Sequence, residues 1–140
     1  MKQFEFLEHT ADIIIRATGD NLEEAFASAG EGLFACITTL DQIEPTEEIE
    51  FEIESIDLQG LLVALLSKLI YIHEVDRMIF SDFRITFKED NKLTAICFGE
   101  KYDDAKHEPG MHVKGVSYHM LEIIDKDANG FAAVQVLIDV

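Results

Sequence analysis

The stretch Glu48-Ile49-Glu50-Phe51-Glu52-Ile53-Glu54, followed by Asp57-Leu58-Gln59-Gly60-Leu61-Leu62-Val63-Ala64-Leu65-Leu66-Ser67-Lys68-Leu69-Ile70, sets a strand directly before a helix. In its first half Ile49, Phe51 and Ile53 alternate with four glutamates, the period of a strand with one wet face. A glutamate row keeps such a face or a sheet edge soluble, and no turn gathers its carboxylates to a point. In the second half Asp57 is placed to cap a helix over 58–73. Leu58, Leu61, Leu62, Leu65, Leu66, Leu69 and Ile70 cover more than one stripe, which predicts a central, buried helix. Gly60 costs helicity and marks the close approach of a neighbour.

Towards the N-terminus, residues 3–7 and 11–17 read as strands on either side of the polar Glu8-His9-Thr10. In the second of them Ile13, Ile15 and Ala17 share one face and Asp12, Ile14 and Arg16 the other. After Gly19-Asp20, Asn21 and Glu24 have the spacing of a capping box. Leu22, Phe26, Ala29, Leu33 and Ile37 then follow as one helical stripe. Residues 38–46 form a loop. Towards the C-terminus, strands are expected over 78–88, over 92–100 after an Asp90-Asn91 turn, and over 111–124. A last strand, 131–139, follows Asp127-Ala128-Asn129-Gly130, whose Asn-Gly pair is a hairpin signal. The order is ββαβαββββ without repeats. It predicts a single α+β domain, 1–140, with a mixed or antiparallel sheet packed against two helices.

A chain of 140 residues with 48% hydrophobic content can bury one core without staples. Eleven Lys and Arg against 28 Asp and Glu give a net charge of −17. Such a surface is repelled by phosphate backbones, which argues against direct nucleic-acid binding as the main activity. A basic protein partner or a divalent cation suits it better, although acidity also serves solubility. The opening Met1-Lys2-Gln3-Phe4 is not a secretory leader. The apolar run over 58–72 is interrupted by Gln59, Ser67 and Lys68 and is too short for a bilayer. Cys36 and Cys97 lack metal spacing. These features together predict a cytoplasmic protein with reduced thiols.

Candidate chemistry gathers in few places. Asp12 opens a strand, while Asp139 and the Val140 carboxylate close another. If those strands are neighbours, their oxygens form a site for a hard cation, Ca²⁺ or Mg²⁺. The plainer alternative is a strand-end cap at Asp12 and a solvated terminus at Asp139. Lys106-His107-Glu108-Pro109-Gly110-Met111-His112-Val113-Lys114 concentrates basic residues in a loop that enters a strand. His107 and His112 lack the further ligands of a zinc set, and a polar turn carrying a functional Lys114 is the more economical reading. Gly99-Glu100-Lys101-Tyr102-Asp103 reads equally as an ordinary strand-end turn. His9 and Asp12 could pair as a general base, but no nucleophile elbow, polar-context Cys or phosphate loop accompanies them.

Taken jointly, these motifs resemble the archease family. Phe6-Leu7-Glu8-His9-Thr10-Ala11-Asp12-Ile13 is similar to its N-terminal signature, and Asn21-Leu22-Glu23-Glu24-Ala25-Phe26 to its first helix. Asp57-Leu58 through Leu66 resembles its leucine-rich second helix. Gly99-Glu100, Lys106-His107 and Val113-Lys114-Gly115-Val116-Ser117-Tyr118-His119 resemble its central signature, with Gly115 and Ser117 where Ala and Thr are more usual. Leu137-Ile138-Asp139-Val140 matches its short C-terminal end. The resemblance implies an accessory protein rather than an enzyme, an activator of the RtcB-type tRNA-splicing RNA ligase. Archeases promote GTP-dependent guanylylation of that ligase, and hence multiple turnover in tRNA ligation. By the same resemblance Asp12, Asp139 and Val140 correspond to the metal-binding group, with Ca²⁺ or Mg²⁺ as cofactor. Lys114 corresponds to a lysine that acts in activation together with Asp12 and Asp139. The alternatives are a small metal-dependent enzyme using His9, Asp12 and Asp139, and a chaperone-like adaptor with an acidic surface.

Overall fold

The computed structural model describes residues 2–140 except Thr10, Ala11, Asp90, Asp127 and Ala128, and omits the side chains of Leu7, Glu8 and His9. The elements are β1 (Gln3–His9), β2 (Asp12–Gly19), α1 (Leu22–Ile37), β3 (Glu47–Glu54), α2 (Leu58–Asp76), β4 (Met78–Lys88), β5 (Lys92–Lys101), β6 (Gly115–Ile124) and β7 (Ala132–Asp139). A 3-10 turn, Leu40–Gln42, follows α1. The order is the expected one, and the domain is α+β. The strands, however, form two antiparallel sheets rather than one, in the orders β1-β2-β7-β6 and β3-β5-β4. Helix α1 packs on β2 and β7 of the first sheet and on β4 of the second, and α2 packs on β6 and β3. The helices are therefore the middle layer of a sheet–helix–sheet sandwich.

Asn21 Oδ1 accepts the Glu24 amide at 2.9 Å and starts α1. Glu24 Oε1 returns to the amide of Asp20 at 3.0 Å, one residue earlier than in a standard capping box. Small residues let α1 approach both sheets. A Cβ at Gly32 would press on Ile15 and Phe4 of the first sheet, and one at Gly30 on Phe83 of the second. Phe34 faces the second sheet in an aromatic cluster, with ring centroids 5.5 Å from Phe80 and 6.0 Å from Phe83. Nearly all of α1 is buried, whereas α2 leaves Tyr71 and Val75 in solvent, so α1 and not α2 is the most enclosed element. The leucines of α2 face the core, and Tyr71 and Val75 emerge on its solvent side.

Asp57 Oδ1 caps α2 through the Gly60 amide at 2.7 Å, and the missing Gly60 side chain makes room for the Ser55 hydroxyl. The helix ends at Arg77, whose φ of 58° is the left-handed stop. At 19 residues and a mean hydropathy of 1.4 it is apolar enough by length and composition to cross a membrane, which the 58–72 run alone was not. Its leucines instead pack between the two sheets. The glutamates of β3 are exposed at a sheet edge, as their alternation required. Both cysteines are buried, and burial pushes their thiols up to about 11 at Cys36 and about 12 at Cys97, which makes them inert.

Two of the larger differences from the sequence reading lie in the C-terminal half of the chain. Strand β6 starts at Gly115, so Met111 to Lys114 belong to an extended loop. The connection over 125–131 is longer than a two-residue Asn-Gly turn, although Gly130 does adopt a left-handed φ of 84°. Asn91 has a φ of 55°, as a turn residue would, while its partner Asp90 lies outside the described residues.

Candidate functional site

Alternation along β2 places Ile13, Ile15 and Ala17 on the helices, so Asp12, Ile14 and Arg16 lie on the outer face of the first sheet. Strand β7 is antiparallel to β2, with Asp12 opposite Asp139, Ile14 opposite Leu137 and Arg16 opposite Gln135. Side chains of opposed residues share a face, so the two aspartates stand side by side at one end of the sheet. Gly115 of β6 faces Asp139 from its other side and adds no side chain to crowd it. The Lys114 amide donates to the Asp139 carbonyl at 2.8 Å, and Val140 packs against the core. The C-terminal end is thus the paired rung of a sheet.

The pKa of Asp139 is raised from its ordinary value, chiefly because its protonated form can donate a hydrogen bond to Asp12; desolvation and the Asp12 charge add to this, and Lys114 opposes it. Two like charges directly opposite are unfavourable in a sheet, and nothing in the packing requires them. Among the described residues no third His, Cys, Asp or Glu side chain joins them. The two aspartates offer only oxygen donors, which suits a hard divalent cation better than zinc. Asp12 is opposite His9 in the β1–β2 register, but the His9 side chain and the Thr10-Ala11 centre of the motif lie outside the described residues.

The other candidates separate. His107 is only 2% exposed. Its Nδ1 accepts the Asp103 amide at 2.9 Å, and its Nε2 donates to Glu100 Oε2 at 2.9 Å. An amide can only donate, so the ring is fixed in one tautomer and has no lone pair left for a metal. Lys106 Nζ bonds Glu100 at 2.8 Å and Glu44 at 3.1 Å, and the Glu44 amide closes the network on Glu100 at 2.8 Å. The loop motif of Lys106 and His107 and the strand-end motif of Glu100 are therefore one structural clamp. Its members come from three separate segments, which is why spacing alone did not reveal it. His112 is exposed and lies 3.6 Å from Glu74. A cleft of about 280 Å³ beside it is lined by His73, Arg77, Tyr102, Asp104 and Met111, with no Ser, Thr, Cys or Lys in its lining.

Burial alone would raise the pKa of Glu100, but hydrogen bonds from Lys106, the Glu44 amide and His107 outweigh it and hold it at about 2. A carboxylate depressed on folding stabilises fully above its unfolded value and loses that stability as the pH falls through its folded value. The Glu100 contribution, roughly 1–3 kcal/mol after allowance for solvent screening, should therefore disappear between about pH 4.5 and pH 2. Urea unfolding of Glu100→Gln across this range should show a flatter acid limb than the parent. An identical limb would remove the clamp as a source of stability.

The fold and the site together define a class: a sheet–helix–sheet α+β domain that ends in an oxygen-only carboxylate pair without an assembled catalytic set among the described residues. Residues 4–140 match the archease protein family. The chain is 43% identical over 126 residues to protein archease of Pyrococcus furiosus, covering 88% of this chain and 89% of that one. It is 40% identical to protein archease of Methanosarcina barkeri, covering 99% and 97%. The solution structure of Methanobacterium thermoautotrophicum protein 1598 superposes with a TM-score of 0.79 at 34% identity, over 98% of both chains. An archease from Thermotoga maritima, described as a possible chaperone, shares the fold with a TM-score of 0.66 at 22% identity, over 96% of this chain and 94% of that one. This chain belongs to the archease family.

Proposed function

We propose that this protein is an accessory activator of the RtcB-type tRNA-splicing RNA ligase, promoting its GTP-dependent guanylylation and multiple turnover in the cytoplasm. The observation that carries this reading is the pairing of Asp12 with Asp139 at the sheet end where the Lys114 amide is anchored. Asp12, Asp139 and the Val140 carboxylate would hold a divalent cation, Ca²⁺ or Mg²⁺. When bound, that ion would supply positive charge where a nucleotide phosphate must be accommodated. The sheet holds both carboxylates in fixed register, so little ordering is needed on docking. Lys114, exposed and anchored by its backbone, leaves its ammonium for the partner's nucleotide or for a ligase carboxylate. The acidic surface fits a basic, metal-dependent active site and leaves RNA contact to the ligase.

The test is the amount of RNA joined in the presence of GTP, with ligase limiting and RNA ends in excess, with and without this protein. Stimulation well beyond one turnover per ligase is expected, and its absence would refute the reading. Turnover of GTP by this protein alone would favour the small metal-dependent enzyme instead. Lys114→Ala should melt within about 2 °C of the parent, as a surface substitution does, while losing stimulation. A melting temperature that collapsed with the activity would make Lys114 structural.

A further inference from the structure

Strand β6 is one of the two edge strands of the first sheet, and its pairing with β7 breaks after Ser117. Ser117 faces Leu137 and Glu122 faces Gln135, so the intervening residues of β6 fall outside the regular register with β7. They form a large bulge. Two hydrogen bonds fix its shape: the His119 amide donates to Ser117 Oγ at 3.0 Å, and Gln135 Nε2 donates to the Met120 carbonyl at 3.0 Å. Gln135 is on the outer face of the sheet, with Arg16, Ile14 and Asp12 on the neighbouring strand, so the bulge is tied to the face that carries the aspartate pair. Ile14 and Leu137, between the two features on that face, are 4% and 3% exposed.

The content of the bulge is not what edge protection needs. A bulge that only blunts an open edge does so with Lys, Pro or a small residue. Here Tyr118 is 62% exposed and Met120 43% exposed, and Met120 holds a φ of 61° that costs a non-glycine residue energy. Large apolar groups displayed on a strained and hydrogen-bonded support, beside a charged site, are the composition of an interface anchor.

We propose that the Tyr118–Met120 bulge is the docking anchor of this protein, inserted into an apolar recess on the basic surface of the same partner that receives the Asp12–Asp139 end. The inference rests on the ligase reading for the partner's identity. The occupant follows from charge complementarity, because the chain carries −17 and the bulge is on the face of its carboxylate pair. It also follows from continuity, because Lys114 and the bulge flank the first residues of the same edge strand. Lys114 and the aspartates act at the partner's reactive centre, whereas the bulge supplies affinity. The two roles separate in a titration.

The experiment measures guanylylated ligase against increasing concentrations of the parent, Tyr118→Ser, Met120→Gly and Lys114→Ala. Both bulge variants should shift the half-maximal concentration upward by roughly tenfold or more, with the plateau recovered at high concentration. Lys114→Ala should lower the plateau. Met120→Gly removes the side chain while easing the left-handed backbone, so a loss of affinity in that variant cannot come from unfolding; thermal melts confirm it. Unchanged half-maximal concentrations in both bulge variants, with the parent still active, overturn the docking role and leave the ligase reading standing. A parent that neither binds nor stimulates the ligase overturns the ligase reading. Sedimentation of the parent as a dimer that both bulge variants dissociate would assign the bulge to a second copy of this chain and overturn the proposal.

Discussion

If the proposed cation site is right, Asp139→Ala is expected to lower formation of guanylylated ligase by roughly 10–100-fold, since loss of a direct ligand should cost at least what loss of a supporting residue costs at a metal site. The reason is geometric. Asp139 is opposite Asp12 on one side and Gly115 on the other, in a rung fixed by the Lys114 amide. No other acidic side chain among the described residues joins the pair to substitute for it. The same pairing gives a readout independent of activity. Ca²⁺ or Mg²⁺ at about a hundredfold excess over its dissociation constant should raise the parent's melting temperature by roughly 5–10 °C through linkage. Asp12→Ala should lose most of that increment. Without the ion it should be no less stable than the parent, because it removes a like charge from across the strand. A C-terminal tag should produce a partial loss of activation, by moving the terminal charge away from Val140. Full activity in Asp139→Ala, or an ion response unchanged in Asp12→Ala, would reduce the pair to the last rung of a sheet.

Phe34→Ala is expected to give the largest loss of stability of any single change considered, roughly 3–5 kcal/mol. Phe34 is fully buried where α1 meets the second sheet, edge-on to Phe80 and stacked near Phe83, with the His73 ring 6.2 Å away. The neighbouring strand is already pinned by its ladder to β5, so the cavity cannot collapse cheaply. Urea unfolding should show a lower midpoint with an unchanged slope. A cost below about 1 kcal/mol would mean that α1 does not support the second sheet as described.

The sequence by itself determined the elements and their order. Strict alternation in β3, the capping residues Asn21 and Asp57, and the leucines of α2 are local signals, and each matches the backbone that formed. It also isolated Asp12, Asp139 and Lys114, because carboxylates at the ends of apolar strands and a cluster of basic residues in so acidic a chain have no packing purpose. What it could not determine was which strands pair. Antiparallel pairing depends on contacts between residues far apart in the chain, and β2 reaches β7 across almost the entire sequence. The second sheet was invisible for the same reason. Burial of α1 on both sides is carried by Ala27, Ser28, Gly30 and Gly32, small residues that leave no hydrophobic periodicity to read. The clamp of Glu44, Glu100, Lys106 and His107 exists only once three segments meet. The bulge in β6 escaped because residues 111–124 read as a continuous strand, whereas the break is set by how many residues β7 offers opposite them. Local propensity is written residue by residue, while register, layering and the face on which a side chain emerges are properties of the folded chain.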